Sequence, residues 1–234
     1  MATRFSSLFF DPPPAPASVL RIGEPRTFAP GEMLVESNVP VGGCYYIVKG
    51  LVFAVDFTEN GEKVFGLIVD RDTLLAETAM LVGSPLSIGF QAQIQTRALF
   101  IPERAFVGLF EKDIEVAHYA ARLCAAKMLA VKEIYLNRKR ESVMWRTCNV
   151  FLGFAYRYGE DFERGKLIAF PLSHQLVADF VNANRITVTK CMQDLKKAGL
   201  VRRINDVYHI PDIKRLEQFA RTQANSCEHR TEAC

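Results

Sequence analysis

The feature that most constrains the fold is a long segment without a helix breaker, Glu111 to Arg140, which contains neither glycine nor proline. Within it, small or apolar residues recur at alternating steps of four and three, the heptad spacing that aligns them along one side of a helix. These positions are Ala117, Ala121, Cys124, Met128, Val131 and Tyr135. Because a helix of this length needs a partner along its side, the pattern predicts pairing with a second copy of the chain. The alternative is a helix buried wholly within one chain.

The residues before this segment have the composition and spacing of a β protein. Short runs of aromatic and β-branched residues are separated by turn signals, and Asn60-Gly61 between two such runs predicts a hairpin. Residues 20–110 are therefore predicted to form a small antiparallel barrel or roll. A second apolar line of the long helix is expected to pack against it. Its members are Val116, Ala120, Leu123, Ala130 and Ile134.

The segment after the long helix has the signals of a helix-turn-helix. A helix is predicted over 143–158, and a second begins after Ser173, whose hydroxyl suits the N-cap position. Asn182 tolerates the left-handed conformation of a tight turn, and a third helix follows over 185–198. Gly199 ends that helix, and two short strands follow as a wing. The alternative is a two-helix hairpin with a solvated face. It does not account for the ordered succession of helix, turn, helix, terminal glycine and wing.

The third helix is predicted to turn a basic and polar face outward. Arg185, Thr187 and Lys190 on this face supply hydrogen-bond donors with which a helix meets base edges and phosphates in a major groove. The net charge of the chain is +3, and the basic excess lies in the C-terminal half, after residue 110. Both observations predict binding to a polyanion, and the helix-turn-helix order favours double-stranded DNA.

Composition and motifs exclude several classes of protein. With 49% hydrophobic and 24% charged residues the chain is not disordered, and no apolar run approaches the ~20 residues of a membrane span. The six cysteines have no zinc-finger spacing, so mostly inert, reduced thiols and no bound metal are expected. No phosphate loop, nucleophile elbow or zinc-protease motif occurs, so the chain is predicted not to be an enzyme. The N-terminus does not have the pattern of a signal peptide, and a cytoplasmic location is expected.

Over residues 20–211 the sequence resembles the CRP/FNR superfamily of bacterial transcription regulators. The resemblance lies in the roll at Gly31-Glu32, Tyr46–Gly50, Glu59–Glu62 and Ala76-Glu77, and in the helix-turn-helix at Ser173–Gln175 and Asn184–Val188. It implies an α+β fold with an antiparallel β-roll of the jelly-roll type, a long dimerisation helix and a C-terminal winged helix-turn-helix domain. By pattern, the nearest branch is that of the regulators of anaerobic respiration and halorespiration.

The resemblance also implies domains, partners and DNA-contacting residues. The domains are a lead-in over 1–19, an effector-sensing roll over 20–110, a dimerisation helix over 111–141, a DNA-binding domain over 142–214 and a tail over 215–234. The partners are a second copy of the chain, a near-palindromic DNA site, RNA polymerase and a small effector. The residues expected to contact DNA are Ser173, His174, Gln175, Asn184, Arg185, Ile186, Thr187, Thr189, Lys190 and Arg202. Ile186 stands where many members have a glutamate, so contact with a thymine methyl is expected there.

The effector is predicted not to be cyclic AMP. Nucleotide-binding members have Gly-Glu-Leu followed by Arg-Ser/Thr-Ala, whereas this chain has Ala76-Glu77-Thr78 and Ser87-Ile88-Gly89, with no Arg or Lys between Arg71 and Arg97. Since a buried phosphate needs a paired cation, a small, partly apolar molecule between roll and helix is expected instead. Its predicted contacts are Phe65, Leu67, Glu77, Ser87, Ile88, Phe90, Tyr119, Arg122, Leu123 and Lys127. The alternative is that these residues simply fill the core of the roll.

No cofactor is predicted for the chain. A haem- or thiol-based sensor of redox or nitrosative stress on the same scaffold is the alternative function. The oxygen-sensing branch has a cysteine cluster near the N-terminus, but the first cysteine here is Cys44. A haem needs an axial ligand, and the histidine near the long helix is His118, a residue more often found on a helix surface than as a ligand.

Overall fold

The computed structural model of the chain describes residues 9–57 and 63–224. The chain divides into two compact units, Phe9–Val131 and the residues from Lys132 onward, and the division falls within one long helix. Among the described residues, no helix combines the length and the apolar character that a membrane crossing requires.

The first unit is a β-roll with helices at both ends. Its elements in chain order are α1 (Ala17–Arg21), β1 (Glu24–Phe28), β2 (Met33–Val35), β3 (Gly43–Lys49), β4 (Leu51–Phe57), β5 (Lys63–Asp70), β6 (Thr73–Leu75), α2 (Glu77–Val82), β7 (Gly89–Ala92), β8 (Thr96–Pro102), α3 (Glu103–Lys112) and the start of α4 (Ile114–Arg140). The strands form two antiparallel sheets, of order β1-β8-β3-β6 and β2-β7-β4-β5. The predicted antiparallel roll is therefore confirmed. β4 pairs with β5 as the hairpin prediction requires, while the turn predicted at Glu59–Glu62 lies outside the described residues.

One side of α4 packs on the roll. Val116, Ala120 and Leu123 are fully buried in a cluster with Ile101 and Phe106. Burial of apolar side chains is the main favourable contribution to folding, so this contact holds the first half of α4 against the strands. Three members of the predicted second apolar line are thus confirmed as core residues.

The long helix begins at Ile114, not at Glu111 as predicted. Asp113 separates it from α3: its backbone is extended, and its carboxylate accepts a hydrogen bond from the N–H of Glu115 at 3.0 Å. An aspartate side chain that binds a nearby backbone N–H favours a helix start over a helix interior. The segment from Glu103 onward therefore forms two helices, although it has no proline and no glycine at the break.

The predicted lead-in over 1–19 was also wrong in part, because its end belongs to the fold. Val19 of α1 is fully buried in the same cluster as Phe106 and Val116. The hydroxyl of Ser18 donates a hydrogen bond to the carboxylate of Asp113 at 3.1 Å. The first helix is therefore part of the roll domain.

The second unit contains the end of α4 followed by a winged helix-turn-helix. Its further elements are α5 (Val143–Tyr158), β9 (Gly159–Phe162), β10 (Gly165–Ile168), α6 (His174–Val181), α7 (Arg185–Lys197), β11 (Arg202–Ile204), β12 (Val207–Ile210) and α8 (Ile213–Ala224). The four strands form one antiparallel sheet of order β11-β12-β10-β9. The three predicted helices and the two-stranded wing are confirmed, and β9 is an additional strand that the polar segment after Tyr158 did not predict.

The predicted tail over 215–234 is wrong as far as residue 224, because these residues form α8. The carboxylate of Asp212 accepts a hydrogen bond from the N–H of Arg215 at 3.0 Å, which starts the helix. Leu216 and Ala220, four residues apart on one face, are fully buried, and α8 packs on α5. The DNA-binding domain therefore extends past 214. The cysteines at 227 and 234 lie outside the described residues.

Candidate DNA-binding and effector sites

Side-chain caps fix the two helices of the helix-turn-helix. The hydroxyl of Ser173 accepts a hydrogen bond from the N–H of Leu176 at 3.0 Å and starts α6. Asn182 ends α6 in the left-handed conformation, with φ +50°. The amide oxygen of Asn184 then accepts from the N–H of Ile186 at 2.7 Å and starts α7. The chain thus reverses through polar residues whose side chains replace missing backbone partners.

Buried apolar residues on one side of α7 determine which side faces outward. Val188 and Leu195 are fully buried, and the α7 helix packs on α5 and α6. Arg185, Thr187 and Lys190 lie on the exposed side. This arrangement presents cationic and hydroxyl groups from the start of a helix that is rigidly held by its other face.

Ile186 is a large apolar side chain with no cover in the single chain. It lies in the first turn of α7 and is 67% exposed. Single exposed apolar residues are normal on protein surfaces, so the position of Ile186 matters more than its exposure. Its place beside Arg185 suits contact with an apolar group such as the methyl of thymine.

The wing supplies two further arginines. Arg202 and Arg203 lie on β11 and are both exposed. Arg203 donates to the carboxylate of Asp206 at 3.0 Å and to the carbonyl of Asn205 at 3.1 Å, across the turn to β12. Arg202 belongs to the predicted DNA-contacting set, and Arg203 does not. Consecutive side chains of a strand point to opposite faces, so the sequence did not indicate that Arg202 and Arg203 are both exposed.

His174 and Gln175, at the start of α6, differ in their partners. Nδ1 of His174 lies 3.0 Å from Oγ1 of Thr189 on α7. Partial burial lowers the pKa of His174 first, and the positive charges of Arg185 and Arg203 lower it further. The amide of Gln175 donates to the carboxylate of Asp179 on its own helix at 2.7 Å. The structure thus brings His174, Thr189 and Arg185 into one group.

A cavity of about 210 Å³ adjoins this group. Its lining includes His174 and two basic residues that were not predicted, Lys196 and Arg203. Its apolar lining comes from Phe151, Met192, Val201 and Tyr208. The cationic rim adds positive potential next to the exposed side of α7.

A buried ion pair lies at the centre of the predicted effector region. Glu77, in the first turn of α2, is fully buried, and both its carboxylate oxygens lie 2.7 Å from Nζ of Lys127 on α4. The same ammonium donates to the carbonyl of Leu74 at 2.7 Å. The thiol of Cys124 lies 3.8 Å from the Glu77 carboxylate. The acidic residue expected to contact an effector is therefore already paired with a residue of the long helix.

Two tyrosines lie close to this pair. The hydroxyl of Tyr119 is buried and has no hydrogen-bond partner among the described residues. Its pKa is raised, chiefly by burial and then by the neighbouring Tyr46 and Glu77. Tyr46 donates to Asp72 at 3.1 Å, and burial together with that bond raises its pKa to about 12. A buried hydroxyl without a hydrogen-bond partner destabilises the fold. A ligand that forms a hydrogen bond with Tyr119 would remove this cost.

The other predicted effector residues do not converge on the pair. Leu67 and Phe90 are buried in the sheet that contains β5 and β7. Ser87 and Arg122 are exposed, and their contact with an effector stays a prediction. Of the other predicted effector contacts, Ile88 is half-buried and Leu123 lies in the roll core. The side chain of Phe65 lies outside the described residues.

The four described cysteines are not in environments that favour a thiolate. Burial raises the pKa of the Cys44 thiol, with a further contribution from Glu77. Burial likewise raises the pKa of Cys148 to about 12, and it is the largest cause of the raised pKa values of Cys124 and Cys191. Reactive cysteines have lowered pKa values and lie in electropositive surroundings.

The predicted dimer seam is largely uncovered in the single chain. Met128, Val131 and Tyr135 are 68%, 52% and 55% exposed. Ala121 is exposed, and Cys124 is half-buried because it also faces Glu77. Ala117, the first seam residue, is half-buried as well. The exposed part of the seam is thus an apolar line along α4, with the ammonium of Lys139 lying 5.1 Å from the centre of the Tyr135 ring.

Two family models match the chain, one in each unit. The model of the cyclic nucleotide-binding domain matches residues 25–113, and the model of the Crp-like helix-turn-helix domain matches residues 146–219. Their order and the fold described above define a regulator with a sensing domain and a DNA-binding domain. The chain belongs to the CRP/FNR family of transcription regulators, which are not enzymes.

Individual relatives support the same assignment over most of the chain. A CRP-like cAMP-activated global transcriptional regulator of Mycobacterium tuberculosis is 22% identical over 210 residues, which cover 89% of this chain and 93% of the relative. A global nitrogen regulator of Synechococcus elongatus is 23% identical over 177 residues, 74% of this chain and 79% of the relative.

Solved structures show the shared fold. FixK2 from Bradyrhizobium japonicum superposes with a TM-score of 0.73 at 16% identity, over 84% of this chain and 96% of that chain. A CRP/FNR-family transcriptional regulator from Thermus thermophilus also has a TM-score of 0.73, at 20% identity, over 86% of this chain and 100% of that chain.

Proposed function

We propose that this member of the family is a homodimer that reads a near-palindromic DNA site through α7 and responds to a small effector other than cyclic AMP. The observation that carries the proposal is the exposed side of α7, where Arg185, Ile186 and Lys190 face away from a buried helix face. A helix held in this way enters a major groove with its N-terminal residues toward the base edges.

The residues of α7 have separable roles in this proposal. Arg185 opens the helix, where a guanidinium makes a bidentate contact with O6 and N7 of guanine. Lys190 carries a compact charge on a flexible stem, which suits a phosphate. Ile186 contacts a thymine methyl, in place of the cytosine contact that a glutamate would make. The wing arginines Arg202 and Arg203 add contacts with the DNA backbone.

The second copy of the chain is proposed to cover the exposed line on α4. Met128, Val131 and Tyr135 repeat at the spacing of a coiled coil, and a parallel pair of such helices buries them against their counterparts. Two helix-turn-helix domains related by a two-fold axis then meet two half-sites, which makes the DNA site near-palindromic.

The buried pair of Glu77 and Lys127 supports an effector other than a cyclic nucleotide. Both oxygens of Glu77 are occupied by an ammonium of the same chain. The chain has no Arg or Lys from 72 to 96, so a phosphate at this end of the roll has no local cation from that segment. An effector of the proposed kind is partly apolar and supplies a hydrogen bond to the buried hydroxyl of Tyr119.

The test is selection of bound DNA from a random pool, with the purified protein alone and with added cell extract. We expect a two-fold symmetric site whose enrichment changes when the extract is present. Enrichment of no sequence under either condition would contradict the proposal.

Titration calorimetry with cyclic AMP tests the effector separately. We expect no dissociation constant tighter than millimolar, because the segment from 72 to 96 supplies no cation for the phosphate and the ammonium of Lys127 is already paired with Glu77. A micromolar constant would show that Ser87 is wrongly aligned with the arginine of nucleotide-binding members, and would overturn this part of the proposal.

The redox alternative has no support from the described thiols, whose pKa values are all raised. His118, the histidine considered as a haem ligand, is exposed on α4. Binding to RNA polymerase and a cytoplasmic location remain predictions that follow from the family.

A further inference from the structure

A hydrogen bond joins the first helix of the helix-turn-helix to the exposed side of the second. His174 is the first residue of α6, directly after the capping Ser173. Its Nδ1 lies 3.0 Å from Oγ1 of Thr189, one turn beyond Arg185 on α7. His174 and Thr189 are both half-buried, so the bond lies at the rim between the domain interior and the side of α7 that faces outward.

The chemistry of the two groups makes this bond reversible in direction. A ring nitrogen of histidine donates when it carries hydrogen and accepts when it does not, while a hydroxyl can do either. When Nδ1 donates, the hydroxyl hydrogen of Thr189 is free for an outside acceptor. When Nδ1 accepts, the hydroxyl hydrogen is used internally, and Thr189 offers only its oxygen lone pairs and its methyl group.

We propose that His174 is a positioning residue that sets whether Thr189 donates or accepts at a base edge, and thereby contributes to the base preference of α7. This inference rests on the proposed reading of DNA by α7. With Nδ1 protonated, Thr189 favours guanine, whose major-groove edge has two acceptors. With a neutral ring that accepts through Nδ1, Thr189 favours adenine or cytosine, which offer amino groups.

The charged groups around the ring determine which protonation state of His174 is favoured. The charged groups around it are Arg185 of α7, Lys196 in the adjoining cavity and Arg203 of β11, whose charge Asp206 partly offsets. Partial burial, and then the charges of Arg185 and Arg203, keep the pKa of His174 below its usual value, which favours the neutral ring in the free protein. Phosphates of bound DNA have the opposite effect and favour the imidazolium. Acidification therefore favours the donor state of Thr189 in the complex.

The experiment is selection of DNA sites from a random pool at about pH 8 and at about pH 6, with four proteins. These are the wild type, His174→Gln, Thr189→Val and Thr189→Ser. The glutamine has no titratable ring, the valine keeps the branched shape of threonine without the hydroxyl, and the serine restores the hydroxyl. Arg185→Ala is included as a control for the reading of DNA by α7.

We expect the wild type and Thr189→Ser to change their preference at one position of each half-site, from adenine or cytosine toward guanine as the pH falls. A single hydrogen bond corresponds to a change of about threefold to tenfold in that preference. His174→Gln and Thr189→Val are expected to have the same preference at both pH values.

A wild-type preference that does not move with pH overturns the inference. So does a pH-dependent preference that survives in Thr189→Val, because His174 would then contact DNA without Thr189. The control separates this failure from failure of the proposed function: if Arg185→Ala selects the same site as the wild type at both pH values, Arg185 does not read a base, and the proposed role of Arg185 fails whatever the bond between His174 and Thr189 does.

Discussion

Glu77 and Lys127 form a buried ion pair in which both carboxylate oxygens lie 2.7 Å from the same ammonium. The pair joins the first turn of α2, in the roll, to the middle of α4. Lys127 comes directly before the exposed Met128 of the predicted dimer seam. A change at the roll that moves Glu77 therefore acts on the helix that we propose pairs with a second copy.

We expect Lys127→Met to lower the free energy of unfolding by about 3–5 kcal/mol, since Glu77 is then buried without a counter-charge. Urea unfolding followed by circular dichroism measures the change. The matched control is the double variant with Glu77→Gln, in which no uncompensated charge remains and much of the lost stability returns. A Lys127→Met protein as stable as the wild type would argue against a buried pair.

Glu163 has an unfavourable backbone conformation in the turn between β9 and β10, where its φ is +50°. A non-glycine residue in the left-handed region costs about 1–2 kcal/mol, and glycine does not have this cost. We expect Glu163→Gly to raise the free energy of unfolding by about 1 kcal/mol. The neighbouring Arg164, which is exposed and has a negative φ, provides the control: Arg164→Gly is expected to bring no gain.

Two adjacent residues of α4 distinguish the seam from the rest of the exposed helix surface. Met128 lies on the heptad line and Leu129 beside it, and they are 68% and 57% exposed. Met128→Asp places an unpaired charge in the helix pair at a cost of several kcal/mol, so we expect monomers in sedimentation velocity. Leu129→Asp is expected to remain dimeric. If both variants stay dimeric, the seam is not the interface.

The elements that depend on neighbouring residues could be predicted from the sequence. Ser173 and Asn184 cap helices within three residues of themselves, so the two helices of the helix-turn-helix were located almost to the residue. The heptad line likewise requires only the regular turn of a helix. Asp113 is an exception among these local features. Its side chain caps the start of α4 and ends the helix before it, although the composition there predicts one continuous helix.

The contacts that depend on distant residues could not be predicted in the same way. Glu77 and Lys127 were both placed near an effector, but the sequence does not show that they satisfy each other. The bond between His174 and Thr189 joins two residues that were each expected to contact DNA directly. In both cases the sequence identifies polar residues, but which partners they meet depends on how the elements pack.

Two basic residues on the exposed side of α7 test whether this helix reads base sequence. Arg185→Ala is expected to weaken binding to the selected duplex by about 1–3 kcal/mol per subunit, because the bidentate bond to guanine is removed. Lys190→Ala leaves one phosphate per subunit without its cation, so it weakens binding to all duplexes alike and reduces the salt slope by about 1 for each such phosphate.

The most direct measurement is a fluorescence anisotropy titration of the wild type and both variants on the selected and a scrambled duplex at two salt concentrations. We expect Arg185→Ala to lower the ratio of the affinity for the selected duplex to that for the scrambled duplex, and Lys190→Ala to leave this ratio unchanged. An unchanged ratio in Arg185→Ala would contradict base reading by Arg185.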